Sequence, residues 1–203
     1  MTSRLRLSLA LIAASSLILL SSCATNRFAE DDPSLQRDLD TENTFVSESG
    51  FSWWVDKPGN GPLRVSIDLS DQAAYIYRGD VQIGRSRVAT GKAGNRTPSG
   101  SFRIQEKIVD KRSNLYGKIY GADGRLVRAE ADTRKHSVPS GGKYVGAAMP
   151  YWMRLTGYGI GMHVGPIPNP GSPASHGCIR MPRDMAMRLF ENAEVGTRVR
   201  IRR

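Results

Sequence analysis

Apolar and polar residues alternate along several short segments of the chain. Every second residue from Leu63 to Leu69 is apolar, and the residues between them are polar. The same alternation ends the chain, where Val199 and Ile201 lie between arginines. A period of two is typical of a β-strand that buries one face. Both segments are therefore predicted to be strands.

Further short strands are predicted at residues 73–77, 81–83, 86–90, 101–105, 151–156 and 159–164. The first two flank Arg78-Gly79-Asp80, which favours a hairpin. One helix is predicted over residues 183–193, where the apolar residues recur at helical spacing. Residues 110–146 show no clear period. We expect a mainly β fold of short strands with one or two helices, either a sandwich or a barrel, and the sandwich of mixed strands is what the family resemblance described below implies.

The N-terminal segment has the pattern of an export signal. Arg4 and Arg6 precede an apolar run over residues 7–20, which is short for a membrane-spanning helix. Leu20-Ser21-Ser22-Cys23 follows and resembles a bacterial lipobox. We expect residues 1–22 to be a lipoprotein signal peptide and Cys23 to be the lipidated residue. Cleavage near Ala24, or a retained anchor, is the alternative.

Charge divides the remainder into two parts. Residues 24–60 contain three basic and eight acidic residues, whereas residues 61–203 contain 24 basic and 11 acidic ones. We expect residues 23–60 to be an acidic tether and residues 61–203 to be one folded domain. A basic domain favours a polyanionic partner, although solubility explains the excess as well. An exported protein rarely meets nucleic acid, so we expect no nucleic-acid partner.

Candidate chemistry is concentrated between His163 and Arg180, where the chain is HVGPIPNPGSPASHGCIR. Four prolines and two glycines in residues 165–174 exclude a helix or a central strand there. This segment is predicted to be a stiff surface loop that brings residues 175–178 back toward His163. Loops of this kind on a rigid scaffold often carry function.

Cys178 is the cysteine of the predicted domain, and two histidines accompany it. A thiolate nucleophile needs a base nearby, and His163 and His176 are both candidates. Gly177 permits unusual backbone angles, so the amides of Gly177 and Cys178 are candidate oxyanion donors. Arg180 is placed to bind a substrate carboxylate.

Cys178 has two other interpretations, a buried structural cysteine and a zinc ligand. A buried structural cysteine is common, but the neighbours of Cys178 are Ser, His, Gly and Arg, which is unlike a core sequence. A zinc site built from His163, His176 and Cys178 lacks the closely spaced ligand pairs of most zinc motifs. We therefore expect neither a metal nor a cofactor.

The whole segment resembles the catalytic motif of the L,D-transpeptidase (YkuD-type) family, a His followed by a loop and Ser-His-Gly-Cys-x-Arg. Residues 97–102, Thr-Pro-Ser-Gly-Ser-Phe, resemble the Thr-Pro-x-Gly-x-Phe turn of the family. Residues 149–153 resemble the stretch that lines its substrate site. The resemblance covers residues 63–202. Val164 is a departure, because many members have Gly after the first histidine.

The resemblance implies an L,D-transpeptidase-like fold and a role for each site residue. Cys178 would be the nucleophile, His163 the proton acceptor and donor, His176 a supporting residue and Gly177 an oxyanion donor through its backbone. The substrate would contact Arg180, Ser175, Tyr151 and Met149. Carbapenems are the inhibitor class that the family implies.

The implied reaction is acyl transfer between peptidoglycan stem peptides through a cysteine acyl-enzyme. D-Ala is released, and attack by an amine gives a 3→3 cross-link. Attack by water would make the protein an L,D-carboxypeptidase or a cross-link hydrolase, and a non-catalytic wall-binding lipoprotein is the remaining alternative. We expect a lipid-anchored protein of the cell envelope that faces the periplasm. Ala24 after Cys23 favours the outer membrane.

Overall fold

The computed structural model describes residues 44–56 and 59–203. The predicted signal peptide, Cys23 and residues 23–43 of the predicted tether lie outside the described residues. Twelve strands and one helix follow one another within the described residues. The first six strands are β1 (Thr44–Val46), β2 (Trp53–Val55), β3 (Leu63–Asp68), β4 (Ala73–Arg78), β5 (Val81–Arg87) and β6 (Gly100–Arg103). The remaining elements are β7 (Glu106–Tyr120), β8 (Leu126–Asp132), β9 (Lys143–Arg154), β10 (Gly161–Val164), β11 (Ile179–Met181), α1 (Arg183–Asn192) and β12 (Arg198–Arg202).

The strands form two mixed sheets. The first has seven strands in the order β1-β2-β5-β4-β3-β12-β6, and the second has five in the order β11-β10-β9-β7-β8. Most neighbours are antiparallel, but β12 runs parallel to β3 and β11 runs parallel to β10. The mainly β fold expected from the sequence is therefore confirmed.

One apolar core joins the sheets and the helix. The first sheet contributes Ile67 and Ile76, the second contributes Met153 and Met162, and Leu189 of α1 lies among them. The alternation in β3 and β12 buries the apolar residues and leaves the arginines outside. Burial of such large side chains typically contributes about 1.5–3 kcal/mol each, so this core is the main source of stability.

The hairpin between β4 and β5 depends on a glycine. Gly79 and Asp80 form the two-residue turn, and Gly79 has a φ of 58°. A side chain there would bring its Cβ within 2.3 Å of the carbonyl oxygen of Asn60. Gly79 therefore meets both the backbone and the packing requirement of this turn.

Two segments differ from the sequence-based expectation. Residues 110–146, for which no elements were predicted, contain most of β7, all of β8 and the start of β9. Residues 44–56 were assigned to the tether, yet β1 and β2 extend the first sheet and Trp54 is 1% exposed in the core. Residues 44–56 therefore pack with the domain, because β2 pairs with β5 and the Trp54 side chain lies in the apolar core.

No helix within the described residues is long and apolar enough to cross a membrane.

Candidate active site

Two adjacent parallel strands place the predicted histidine next to the turn that carries the predicted cysteine. His163 in β10 is the direct partner of Arg180 in β11. Cys178 lies in the bend immediately before β11. The pairing of β10 with β11 therefore brings the cysteine turn beside the strand of His163, and residues 165–174 lie in the connection between them.

His163 is buried and held in one tautomer. Its side chain is 6% exposed, and its Nδ1 lies 2.7 Å from the carbonyl oxygen of Val164. A carbonyl only accepts hydrogen bonds, so Nδ1 carries the proton and Nε2 is left as an acceptor. Burial lowers the pKa of His163 to about 4, against a smaller opposing effect of the Val164 carbonyl. The imidazole is therefore neutral at pH 7 and able to take a proton.

Cys178 is half-buried and is a thiol in this environment. Burial raises the pKa of the Cys178 thiol, while a hydrogen bond from the Gly161 backbone and the charge of Arg180 act in the opposite direction. The thiol donates to the carbonyl oxygen of Gly159 at 3.7 Å. Cys178 and His163 are thus both neutral, so attack by sulfur requires that the thiol lose its proton to a base.

Ser175 shapes the turn that carries the cysteine. Its buried hydroxyl donates to the carbonyl oxygen of Cys178 at 2.5 Å and accepts from the amide N–H of Gly177 at 3.0 Å. The Gly177 amide, predicted as an oxyanion donor, is therefore engaged by Ser175 in this conformation. Ser175 itself was predicted to contact substrate, but its bonds are internal to the turn.

Gly177 has a φ of 116°, which favours glycine, and a Cβ there would lie 2.6 Å from Cδ1 of Ile160. This glycine fits the tight turn between His176 and Cys178 because it lacks a side chain.

Thr97 holds the same turn from a distant part of the chain. Its buried hydroxyl donates to the carbonyl oxygen of Gly177 at 2.7 Å and accepts from the Gly91 amide at 2.8 Å. The sequence pointed to Thr97 only as part of a Thr-Pro turn. Its contact with Gly177 was not foreseen, because no local pattern relates residues so far apart.

Gln72 is a second positioning residue that the sequence did not reveal. Its side-chain amide donates to Thr90 Oγ1 at 2.7 Å and accepts from the Thr90 amide at 2.8 Å. The Thr90 carbonyl oxygen in turn accepts from the amide of Ser175 at 2.9 Å. A buried chain of hydrogen bonds thus leads from the residue before β4 to the cysteine turn, and such networks fix geometry.

His176 is more exposed than His163 and is held by an aromatic ring. It stacks on Tyr116 of β7, with ring centroids 4.3 Å apart and an interplanar angle of 22°. The Tyr116 hydroxyl accepts from Arg134 at 2.8 Å, and Arg134 also pairs with Asp132 at 2.7 Å. Burial lowers the pKa of His176, and Lys92 and Arg180 lower it further.

Two open clefts meet at the stacked pair. The first, of about 580 Å³, is lined by Cys178, Met149 and Trp152 among others, and the second, of about 640 Å³, by Arg180 and Arg112 among others. Tyr116, His176, Arg134 and Asn95 line both clefts. The stacked rings of Tyr116 and His176 therefore separate the cleft of Cys178 from the basic cleft of Arg180.

Arg180 lies on the second of these clefts. Its side chain packs over Gly165, and a Cβ at residue 165 would lie 2.8 Å from Cγ of Arg180. The Nη1 atom of Arg180 lies 3.5 Å from the Pro166 carbonyl oxygen. Arg180 is paired with His163 in the sheet and lines the open second cleft. Its guanidinium is therefore accessible to an anionic group that enters this cleft.

Met149 and Tyr151 occupy different places. Met149 lines the cleft of Cys178, as the sequence predicted for a substrate contact. Tyr151 does not line either cleft. It has a φ of 55°, which breaks the alternation of β9, and its ring packs edge-on against Phe190 of α1 at 5.5 Å. The structure thus places Tyr151 against the helix, and its contact with substrate stays a prediction.

Residues 44–56 and 59–203 contain no cluster of side chains that could bind a metal ion. No three His, Cys, Asp or Glu side chains there lie close enough together to hold an ion. His136 is engaged elsewhere, where its Nδ1 accepts from the amide of Asp132 at 3.0 Å.

Comparison with known proteins finds the family that the sequence resembles. The family model for the L,D-transpeptidase catalytic domain (YkuD) matches residues 62–201. A Bacillus subtilis (strain 168) protein, YqjB, whose name places it among the L,D-transpeptidases, is 27% identical over 161 residues, which are 71% of this chain and 72% of that protein.

Solved structures agree in fold. An L,D-transpeptidase from Mycobacterium smegmatis superimposes with a TM-score of 0.54 at 18% identity, over 75% of this chain and 66% of that one. An Enterococcus faecium L,D-transpeptidase solved as a cysteine-to-serine mutant gives 0.52 at 23% identity, over 73% and 52%. The match thus spans about half to two thirds of the length of these solved chains. Because the family model covers more than half of the sequence, the chain belongs to the L,D-transpeptidase catalytic domain family.

Proposed function

We propose that the protein is a cysteine-dependent peptidoglycan L,D-transpeptidase with Cys178 as nucleophile and His163 as base. The observation that carries the proposal is the hydrogen bond between His163 Nδ1 and the Val164 carbonyl oxygen. It leaves Nε2 unprotonated, and the pairing of β10 with β11 brings the turn of Cys178 beside the strand that carries this histidine. Neutral His163 takes the thiol proton as the sulfur attacks, so no permanent ion pair is needed.

The acylation step follows from this geometry. The sulfur attacks the amide carbonyl between the third and fourth residues of a stem peptide, and its proton moves to His163 Nε2. The C–N bond then breaks, and the proton passes from His163 to the departing amino group of D-Ala. The amide of Cys178 is the better candidate oxyanion donor, because Ser175 occupies that of Gly177.

The second half-reaction transfers the acyl group from sulfur to an amine of another stem. His163 takes a proton from the attacking amine and gives it to the departing sulfur, so the C–S bond breaks and Cys178 becomes a thiol again as the new amide forms. Two clefts on either side of the His176–Tyr116 stack support transfer between two substrates, since a donor and an acceptor need separate approaches. Arg180 on the basic cleft is suited to a substrate carboxylate.

Mass spectrometry of muropeptides tests this proposal. The purified chain is incubated with disaccharide-tetrapeptides, and we expect loss of D-Ala together with 3→3 cross-linked dimers. The Cys178→Ala variant is the matched control and should give neither product. Tripeptides without dimers would identify a hydrolase instead. An active Cys178→Ala variant would contradict the assignment of the nucleophile.

We further propose that Cys23 is lipidated and anchors the protein in the cell envelope, facing the periplasm, with the outer membrane as its site. The support is the sequence Leu20-Ser21-Ser22-Cys23 after the apolar run. Metabolic labelling with a palmitate analogue should mark the protein, and Cys23→Ser should abolish the label. Separation of the two membranes then locates the labelled protein, and recovery in the inner membrane would contradict the outer-membrane assignment.

A further inference from the structure

A row of arginines crosses the outer face of the seven-stranded sheet. In the neighbouring strands β3, β12 and β6, Arg198 is the direct partner of both Arg64 and Arg103. The alternate residues Val65 and Val199 are buried in the core. The three arginines therefore project together from the opposite face of the sheet.

This arrangement is electrostatically unfavourable in the protein alone. Like charges on directly paired strand positions repel each other. None of the ion pairs within the described residues involves Arg64, Arg103, Arg198 or Arg200. A negatively charged ligand would convert this repulsion into attraction.

The next row supplies further hydrogen-bond donors. Arg200 lies between Ser66 of β3 and Ser101 of β6. Together the two rows line a groove of about 740 Å³, in which no lining residue is Asp or Glu. The groove shares no lining residue with the clefts beside Cys178 and Arg180.

Two of the arginines are already oriented by the protein. The guanidinium of Arg64 lies 4.0 Å from the centroid of the Tyr77 ring, and its Nε donates to the Gly79 carbonyl oxygen at 3.2 Å. Arg103 donates from Nη1 to the Gly196 carbonyl oxygen at 2.8 Å. A guanidinium has five N–H donors, so each retains donors for a ligand. Orientation before binding reduces the entropy that a ligand must offset.

We propose that this groove binds a linear polymer that carries phosphate groups. Planar guanidinium forks match phosphate oxygens in a bidentate way. The four arginines are spread over three strands, so they suit several phosphates in sequence better than a single one. The concave surface favours an extended chain over a flat bilayer. The inference is independent of the reaction proposed for Cys178, because the two regions have no lining residue in common.

Binding of long-chain inorganic polyphosphate to the purified chain tests the proposal, by isothermal titration at several salt concentrations. The variant Arg198→Gln/Arg200→Gln should weaken binding by at least about tenfold and lower the salt dependence of the affinity. The matched control is Arg125→Gln/Arg128→Gln, which removes the same charge from exposed positions of the β7–β8 hairpin. It should change the affinity by less than about twofold. Unchanged circular dichroism and an unchanged rate of Cys178 alkylation verify folding.

A second variant, Arg198→Lys/Arg200→Lys, distinguishes the effect of charge from that of guanidinium geometry. It keeps both positive charges but lacks the planar guanidinium groups. We expect intermediate affinity for this variant. Equal losses in the Arg125/Arg128 control would reduce the effect to net charge and overturn the proposal. Binding to phosphatidylglycerol vesicles that depends on Arg198 and Arg200, without binding of polyphosphate, would overturn it in favour of a bilayer. Equally tight binding of poly-glutamate would contradict the selectivity for phosphate.

Discussion

Thr97 and Gly177 are 80 residues apart in the chain, and the hydroxyl of Thr97 donates to the Gly177 carbonyl oxygen at 2.7 Å. The bond fixes the peptide immediately before the nucleophile. Because Thr97 also accepts from the Gly91 amide, the loop before β6 and the cysteine turn share one buried hydroxyl. The position of Cys178 therefore depends on a residue outside the His163–Arg180 segment.

Replacement of Thr97 by Val should damage both stability and the site. The substitution leaves the Gly177 carbonyl and the Gly91 amide without their partner, which typically costs about 1–3 kcal/mol. We expect a lower free energy of unfolding in urea and slower alkylation of Cys178. Thr97→Ser keeps the hydroxyl and is the control, with near-normal behaviour. A damaged Thr97→Ser variant beside a near-normal Thr97→Val variant would show that the Thr97 methyl group, and not its hydroxyl, matters.

The contrast between Thr97 and Cys178 shows what the sequence could predict. His163, His176, Cys178 and Arg180 were found because they lie in one short motif whose chemistry is local. Thr97 and Gln72 come from loops in other parts of the chain, and only the tertiary fold brings their hydrogen bonds to the turn. Positioning residues of this kind leave no periodic signal.

The same division holds for the fold. The strands β3 and β12 and the helix α1 were predicted because each buries a regular apolar face. The strand β8 was missed, since most of its residues are exposed and its sequence lacks a buried alternation. Tyr151 departs from the alternation of β9 because its positive φ interrupts the regular period of that strand.

Burial of neutral His163 predicts a loss of stability in acid. Its folded pKa of about 4 lies below the ordinary value of 6.5, so the unfolded chain binds more protons between these values. The free energy of unfolding should thus fall as the pH drops from about 6.5 toward 4, by roughly 2–3 kcal/mol from this group. Urea denaturation at pH 7 and pH 4.5 measures the change.

A His163→Gln variant is the control for this titration. The side-chain amide does not titrate, so the difference between the two pH values should shrink in the variant. Carboxylates elsewhere contribute equally to both proteins and cancel in the comparison. An unchanged pH dependence would mean that His163 is not the group responsible.

The stack between Tyr116 and His176 is expected to support the nucleophile turn. Aromatic pairs contribute about 0.5–1.5 kcal/mol beyond simple burial, so Tyr116→Ala should slow acylation of Cys178 roughly 2–10-fold. Tyr116→Phe keeps the ring but loses the hydroxyl that accepts from Arg134, and it should remain close to normal. Intact-mass spectrometry with a carbapenem gives the rates. A slow Phe variant would instead assign the effect to the Arg134 contact.

Arg180→Lys tests whether the guanidinium binds a substrate carboxylate. Lysine keeps the charge but lacks the planar fork, so we expect a higher KM for the tetrapeptide donor with unchanged thermal stability. Arg128→Lys, on the exposed strand β8, is the control for a conservative change. Normal kinetics combined with lower stability would make Arg180 a structural residue, consistent with its passage across Gly165.

The two histidines should differ sharply when one is removed. His163 is buried, held by the Val164 carbonyl and presents Nε2 as an acceptor, whereas His176 is half-buried and stacks on Tyr116. His163→Ala should therefore slow acylation of Cys178 by a carbapenem at neutral pH by about 10²–10⁴-fold, the usual loss on removing a general base. His176→Ala should have a smaller effect, similar to that of Tyr116→Ala. Acylation rates across pH, with circular dichroism as the folding check, decide between them. A folded but inactive His176→Ala variant beside a nearly normal His163→Ala variant would make His176 the base, because only that residue would then be needed to take the thiol proton.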